Sequence, residues 1–197
     1  MLYRILLCVT CLGVVLSQIL TPLKGCPRGV NVQPDFDVRK YMGLWYEQER
    51  YFAIFQFTYK CGTAHYTLRD DGSVLVNNTG YVRLWESWDT ALGSAVNIDP
   101  SEPAKLGVSF DEGPSMVANY WVLSTDYTNH SVVWSCIEES SVGNSQNLWI
   151  LSRAHNGLPE SKMTEIRAML EGYGIDWRKL YNVPQNAYVC PGRHQAD

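Results

Sequence analysis

The residue types that carry covalent or acid–base chemistry are sparse in this chain of 197 residues. Its four histidines are His65, His130, His155 and His194, far apart in sequence. No Gly-x-Ser-x-Gly elbow, glycine-rich phosphate loop or His-Glu-x-x-His occurs. Glu138 and Glu139 are adjacent, but neighbours at a strand end point apart, so a solvated turn is expected there. Six cysteines are present. Cys8 and Cys11 fall in an N-terminal segment that reads as a leader. The remaining four, Cys26, Cys61, Cys136 and Cys190, contain no Cys-x-x-Cys and form no Cys–His cluster, so a zinc site is not supported. An even number in an exported chain implies two disulfides, and spacing alone leaves all three pairings open. Paired cysteines supply no thiolate nucleophile. No catalytic residue, metal ligand or cofactor is therefore expected.

The chemistry that remains is that of apolar and aromatic surface. Hydrophobic residues make up 46% of the chain and charged residues 18%, with seven Trp and twelve Tyr. Such a chain is not disordered, and its length suits one well-buried core. The aromatic content favours strands around a large interior. The net charge is −4, and no run of Lys or Arg appears. A nucleic-acid partner is excluded, because phosphate neutralisation needs clustered cations. An anionic membrane patch is disfavoured for the same reason.

The elements that must position these residues follow from patterning. Met1 to Ser17 carries one Arg, an apolar run from Ile5 to Leu16 and a small residue at its end. This pattern predicts a secretory signal peptide over 1–17, followed by one domain over 18–197. The run is shorter than the roughly 20 residues of a membrane span. Leu23-Lys24-Gly25-Cys26 only faintly resembles a lipoprotein box, and Lys24 fits it poorly.

Strand signals then recur at nearly regular spacing. They cover Gly43 to about Phe57, Lys60–Leu68, Ser73–Asn77, Tyr81–Trp88, Ala91–Ile98, Lys105–Phe110, Val117–Thr125, Ser131–Ile137 and Asn147–Arg153, with Asp70-Asp71-Gly72 marking a hairpin. About eight strands of this kind make a closed up-and-down barrel or a sandwich. After Pro159-Glu160 the period becomes helical. Met163, Ile166, Met169, Leu170 and Tyr173 form one apolar stripe, stopped by Gly172 and Gly174. The stripe needs the outer wall of the strand layer as its partner. Two sequons, Asn77-Asn78-Thr79 and Asn129-His130-Ser131, are candidate glycan sites on exposed turns at Asn77 and Asn129.

Gly43-Leu44-Trp45, Thr125-Asp126-Tyr127 and Arg153 stand in order before the helix. Together they resemble the motif set of the lipocalin family. The resemblance implies an all-β fold, an eight-stranded antiparallel up-and-down β-barrel with one C-terminal α-helix packed outside. It implies a function too: extracellular binding and transport of a sterol, fatty acid or similar lipid in the barrel. It also leaves two alternatives, a carrier of biliverdin or carotenoid pigment and a protein acting through its surface on a receptor or lipoprotein particle. A closed barrel needs a plug at one end. Trp45 is expected to supply it, with Arg153 stacked across its face and Asp126 accepting loop amides nearby.

Strand parity from Arg153 turns Leu151 and Trp149 inward. In the second strand the resemblance aligns Tyr66 with a cavity tyrosine, and Ala64 and Leu68 share its parity. In the fifth, Leu106, Val108 and Phe110 are taken as inward. In the sixth, the resemblance favours Tyr120, Val122 and Ser124 over Asn119, Trp121 and Leu123. The expected ligand contacts are thus Tyr66, Leu106, Phe110, Tyr120, Val122 and Trp149. Within the family, the nearest branch implies the pairings Cys26–Cys136 and Cys61–Cys190. Phe52–Phe57, with sequence FAIFQF, is unusually apolar for an entrance loop. It is expected to cover the ligand or to touch a lipid or particle surface.

Overall fold

A computed structural model describes residues 25–111, 117–139 and 143–192. The expected leader, with Cys8 and Cys11, lies outside them. After a short helix, α1 (Val38–Tyr41), eight long strands follow: β1 (Gly43–Arg50), β2 (Tyr59–Leu68), β3 (Val74–Val82), β4 (Ser87–Asn97), β5 (Lys105–Phe110), β6 (Ala118–Thr125), β7 (His130–Glu139) and β8 (Gly143–Ser152). Then come α2 (Glu160–Gly172) and a two-residue strand, β9 (Tyr181–Asn182). Each strand pairs antiparallel with the next, and β1 pairs with both β2 and β8. The sheet is therefore a closed barrel, with β9 added beside β1.

Several placements differ from the expected ones, including the start of β8, which is Gly143 rather than Asn147. The first strand stops at Arg50 rather than near Phe57, and a 3-10 turn, Ile54–Gln56, follows. The Arg50 guanidinium causes this by donating to the carbonyls of Gln56 (2.9 Å) and Tyr59 (2.6 Å), which folds the chain back over the barrel end. Tyr81–Trp88 is not one strand, because it contains the β3–β4 turn. Its pairs Tyr81↔Trp88 and Val82↔Ser87 face each other across that turn. Asn77 is not on a turn. It lies mid-strand in β3, paired with His65 and Leu92, whereas Asn129 is exposed in the β6–β7 turn.

Two apolar layers result. Outside the barrel, Met163, Ile166 and Leu170 of α2 pack on Val132, Trp134, Leu148 and Ile150. The helix ends where Gly174 adopts a φ of +72°. Its N–H bonds the carbonyl of Glu171, and Ile175 N–H bonds that of Leu170, while the Ile175 side chain is buried. Inside, Trp45, Tyr41, Phe36, Val122, Val133 and Leu151 fill the end where α1 enters.

That end is closed by a cation–π contact. The Arg153 guanidinium carbon lies 3.7 Å from the Trp45 ring centroid. Its N–H groups donate to the carbonyls of Tyr127 (2.9 Å), Leu44 (2.7 Å), Met42 (2.8 Å) and Tyr41 (3.2 Å). Trp45 Nε1 donates to Tyr41 O at 2.9 Å and the residue is fully buried. Gly43 has a φ of +92°, and a Cβ there would meet the Arg153 guanidinium, so a glycine starts the strand. Thr125 Oγ1 donates to His130 O (2.7 Å) and accepts from Tyr127 N (2.9 Å). Asp126 accepts from the N–H groups of Asn129 (2.7 Å) and His130 (3.0 Å). Burial alone would raise its pKa, but these donors prevail and hold it well below the usual carboxylate range.

Both disulfides are the pairs that the family resemblance implied. Cys26–Cys136 ties the N-terminal arm to β7, and Cys61–Cys190 ties the tail to β2. Cys61 sits in a bulge between Lys60 and Thr63, with a φ of +59°.

Two outcomes are expected. Trp45→Ala should lower stability by about 3–5 kcal/mol in urea unfolding, as for other buried aromatic truncations; a neutral result would remove Trp45 from the barrel floor. Asp126→Asn should lower the melting temperature at pH 7. Because the folded pKa is depressed, that stabilisation is present above the unfolded value of about 4 and fades as pH falls below it. The gap between variant and parent should therefore narrow at pH 3, and a gap independent of pH would refute it.

Candidate functional site

Antiparallel alternation places the β1–β2, β3–β4, β5–β6 and β7–β8 connections at the end opposite Trp45. A cavity opens there in two adjoining lobes of about 330 and 380 Å³. Volumes of this size suit a single small ligand.

The inner lobe is lined by Tyr66, Leu106, Phe110, Tyr120 and Trp149, among others. These are five of the six expected contacts. Val122 is not on the lining. It pairs with Val133 and is completely buried beside Trp45 in the floor layer, one inward position below Tyr120. Phe110 lines both lobes but stands at the mouth, 38% exposed. Trp121 and Leu123 face α2, as parity required. Ser124 does not share the inward side of Tyr120. A bulge after Val122 pairs it with Val132, which belongs to the outer layer, and it contacts His130 Nε2 at 3.1 Å.

At the base of the inner lobe three phenols meet. Tyr120 Oη lies 3.0 Å from Tyr66 Oη and 2.9 Å from Tyr41 Oη, which lies 2.8 Å from Ser131 Oγ. Burial pushes all three phenol pKa values up, that of Tyr41 to about 12, so the hydroxyls stay protonated. The chain of four hydroxyls uses three donors internally and leaves one spare.

A second polar group lies higher. On a regular strand, residues three apart face opposite sides. The bulge between Glu47 and Glu49 adds one residue, so Glu47 pairs with Leu151 and Arg50 with Trp149, both on the inner side. The two form a buried ion pair. Arg50 Nε also donates to Tyr181 Oη at 2.7 Å. Gln56 donates to Glu47 Oε1 (2.8 Å) and accepts from Trp149 Nε1 (3.1 Å). Gly62 lies against this carboxylate, where a Cβ would clash with Glu47.

Glu47 shares strand parity with Trp45 and could have been found on that basis. Arg50 could not, because the bulge that turns it inward has no signature in the residue types. Asn78 was also missed, though it is two residues from the inward Val76. Its Oδ1 is buried without a protein partner, and it lines both lobes.

The mouth carries a collar of exposed apolar side chains. Ile54, Phe55 and Phe57 extend from the first loop, Leu84 and Trp85 from the β3–β4 turn, and Val117 from just before β6. No helix among the described residues is long and apolar enough to cross a membrane. No group of three or more potential metal ligands occurs among them either.

The sequence model of the lipocalin-like domain matches residues 36–185. Apolipoprotein D of Cavia porcellus is 37% identical over 156 residues, 79% of each chain. The Lazarillo protein of Schistocerca americana is 33% identical over 203 residues, covering 98% of this chain and 90% of the relative. Among solved structures, insecticyanin of the tobacco hornworm Manduca sexta superposes with a TM-score of 0.72 at 23% identity. That match covers 85% of this chain and 90% of insecticyanin. A barrel plugged by Trp45 and Arg153, open at the other end and matched by these sequences over most of its length, belongs to the lipocalin family.

Proposed function

We propose that the protein is an extracellular carrier of a small hydrophobic ligand, held in the barrel between Tyr66, Leu106, Phe110, Tyr120 and Trp149. The observation that carries this reading is the cavity itself. The closed end is packed solid around Trp45, while the other end keeps an open, largely apolar space ringed by aromatic faces. Both cystine pairs suit an oxidising compartment, and a leader over 1–17 fits export. The sequon at the exposed Asn129 is the more accessible glycan site, whereas Asn77 is half-buried on the barrel's outer face. All four cysteines outside the leader are engaged in disulfides, which removes the thiol that a cavity enzyme would use. This supports reading the function as carriage without catalysis.

A second reading concerns the collar. We infer that Ile54, Phe57 and Trp85, at 71%, 69% and 71% exposure, touch the surface of a lipid particle or membrane when ligand is exchanged. Clustered apolar side chains around an opening are costly in water and favourable at an acyl boundary. A pigment carrier would use the same cavity and would differ by visible absorbance of the native protein.

Two measurements test these readings. Trp149→Ala should weaken binding of an apolar fluorescent probe by about tenfold, the equivalent of one lost contact of about 1.4 kcal/mol, with circular dichroism unchanged. Unchanged affinity would refute the pocket assignment. The triple variant Ile54→Ser, Phe57→Ser, Trp85→Ser should lose flotation with neutral phosphatidylcholine vesicles while retaining probe affinity; equal flotation would refute the collar reading.

A further inference from the structure

We propose that the cavity selects uncharged amphiphiles bearing a hydrogen-bond donor, an alcohol or an amide N–H, and rejects free carboxylates. The inference rests on the carrier reading and specifies the polar chemistry of its ligand.

The charged groups that line the cavity decide it. Among the described lining residues the carboxylates are Glu47, which borders both lobes, and Asp89 at the mouth. The only lining cation among them is Arg50. Its guanidinium is already engaged on every nitrogen, with Glu47, Tyr181 Oη and the carbonyls of Gln56 and Tyr59. Arg153 lies on the far side of Trp45, held by backbone carbonyls. Asp89 accepts the hydroxyl of Tyr59, which also lines the outer lobe. Residues 112–116 and 140–142, outside the described ones, include no Lys or Arg. A carboxylate drawn into this space would lose its hydration, find no free counter-charge and add a third negative charge around one arginine.

The uncommitted polar atoms point the other way. Asn78 Oδ1 is a buried acceptor on the inner face of β3 with no protein donor. A buried acceptor left unpaired is unfavourable, and a ligand O–H or N–H satisfies it. The spare hydroxyl of the tyrosine chain can meet a ligand oxygen, but it brings no positive charge. A neutral head group therefore matches what the walls offer, and an anionic one does not.

The test is competition by 1-tetradecanol, tetradecanamide and myristate against an apolar fluorescent probe on the intact protein at pH 7.4. Tetradecanol and tetradecanamide are expected to bind about tenfold tighter than myristate. Asn78→Leu keeps the Asn77-x-Thr79 sequon and should remove most of that advantage. Myristate binding as tightly as the alcohol would overturn the inference while leaving the carrier reading intact. An undiminished preference in Asn78→Leu would overturn the role of Asn78. Displacement by none of the three would sink the carrier reading itself. The comparison of three ligands on the parent protein stands even where the variant fails to fold.

Discussion

The barrel depends on one contact, the guanidinium of Arg153 lying across Trp45. A cylinder of eight strands has two ends, and both would admit water if neither were filled. Here one residue just past the last long strand closes the gap by two means. Its planar face covers the indole, and its N–H groups collect carbonyls left over from α1 and the start of β1. The first and last long strands are thereby joined at the floor. With that end sealed, the inward aromatic residues above it need not pack solid, and a hollow survives.

The second organising device is irregularity in the strands. A bulge in β1 brings Glu47 and Arg50 to the same face, and a bulge in β2 sets Cys61 apart for its disulfide. A third, in β6, turns Ser124 away from the side of Tyr120. Each changes the face on which the next side chains lie. The buried ion pair is tolerated because nearly every polar atom around it has a partner.

These same irregularities set the limit of what the residues revealed in advance. The run of strands and the α2 stripe were legible from periodicity, whereas the choice of a closed barrel over a sandwich and the floor motif came from the family resemblance. Tyr66, Leu106, Tyr120 and Trp149 were placed by counting in twos, with the family resemblance choosing the side for Tyr66 and Tyr120. The counting failed at Ser124, where an extra residue changes the face. At Val122 the side was right but the depth was not, since parity gives direction and says nothing of height along the axis. The early end of β1 was hidden because the FAIFQF segment reads as strand in isolation. Arg50, the last residue of β1, bends it back through the carbonyls of Gln56 and Tyr59, a contact that no local pattern announces.

Gln56 sits at the meeting point of these parts. It belongs to the turn that folds over the mouth, and its amide bridges Glu47 and Trp149 on the inner wall. The flap is thus latched from within, by groups that any guest must brush past. The turn over the mouth and the cavity wall thus share one hydrogen-bonded residue. The outer face of that turn is oily, so a single short segment presents amide chemistry to the interior and hydrocarbon to the outside.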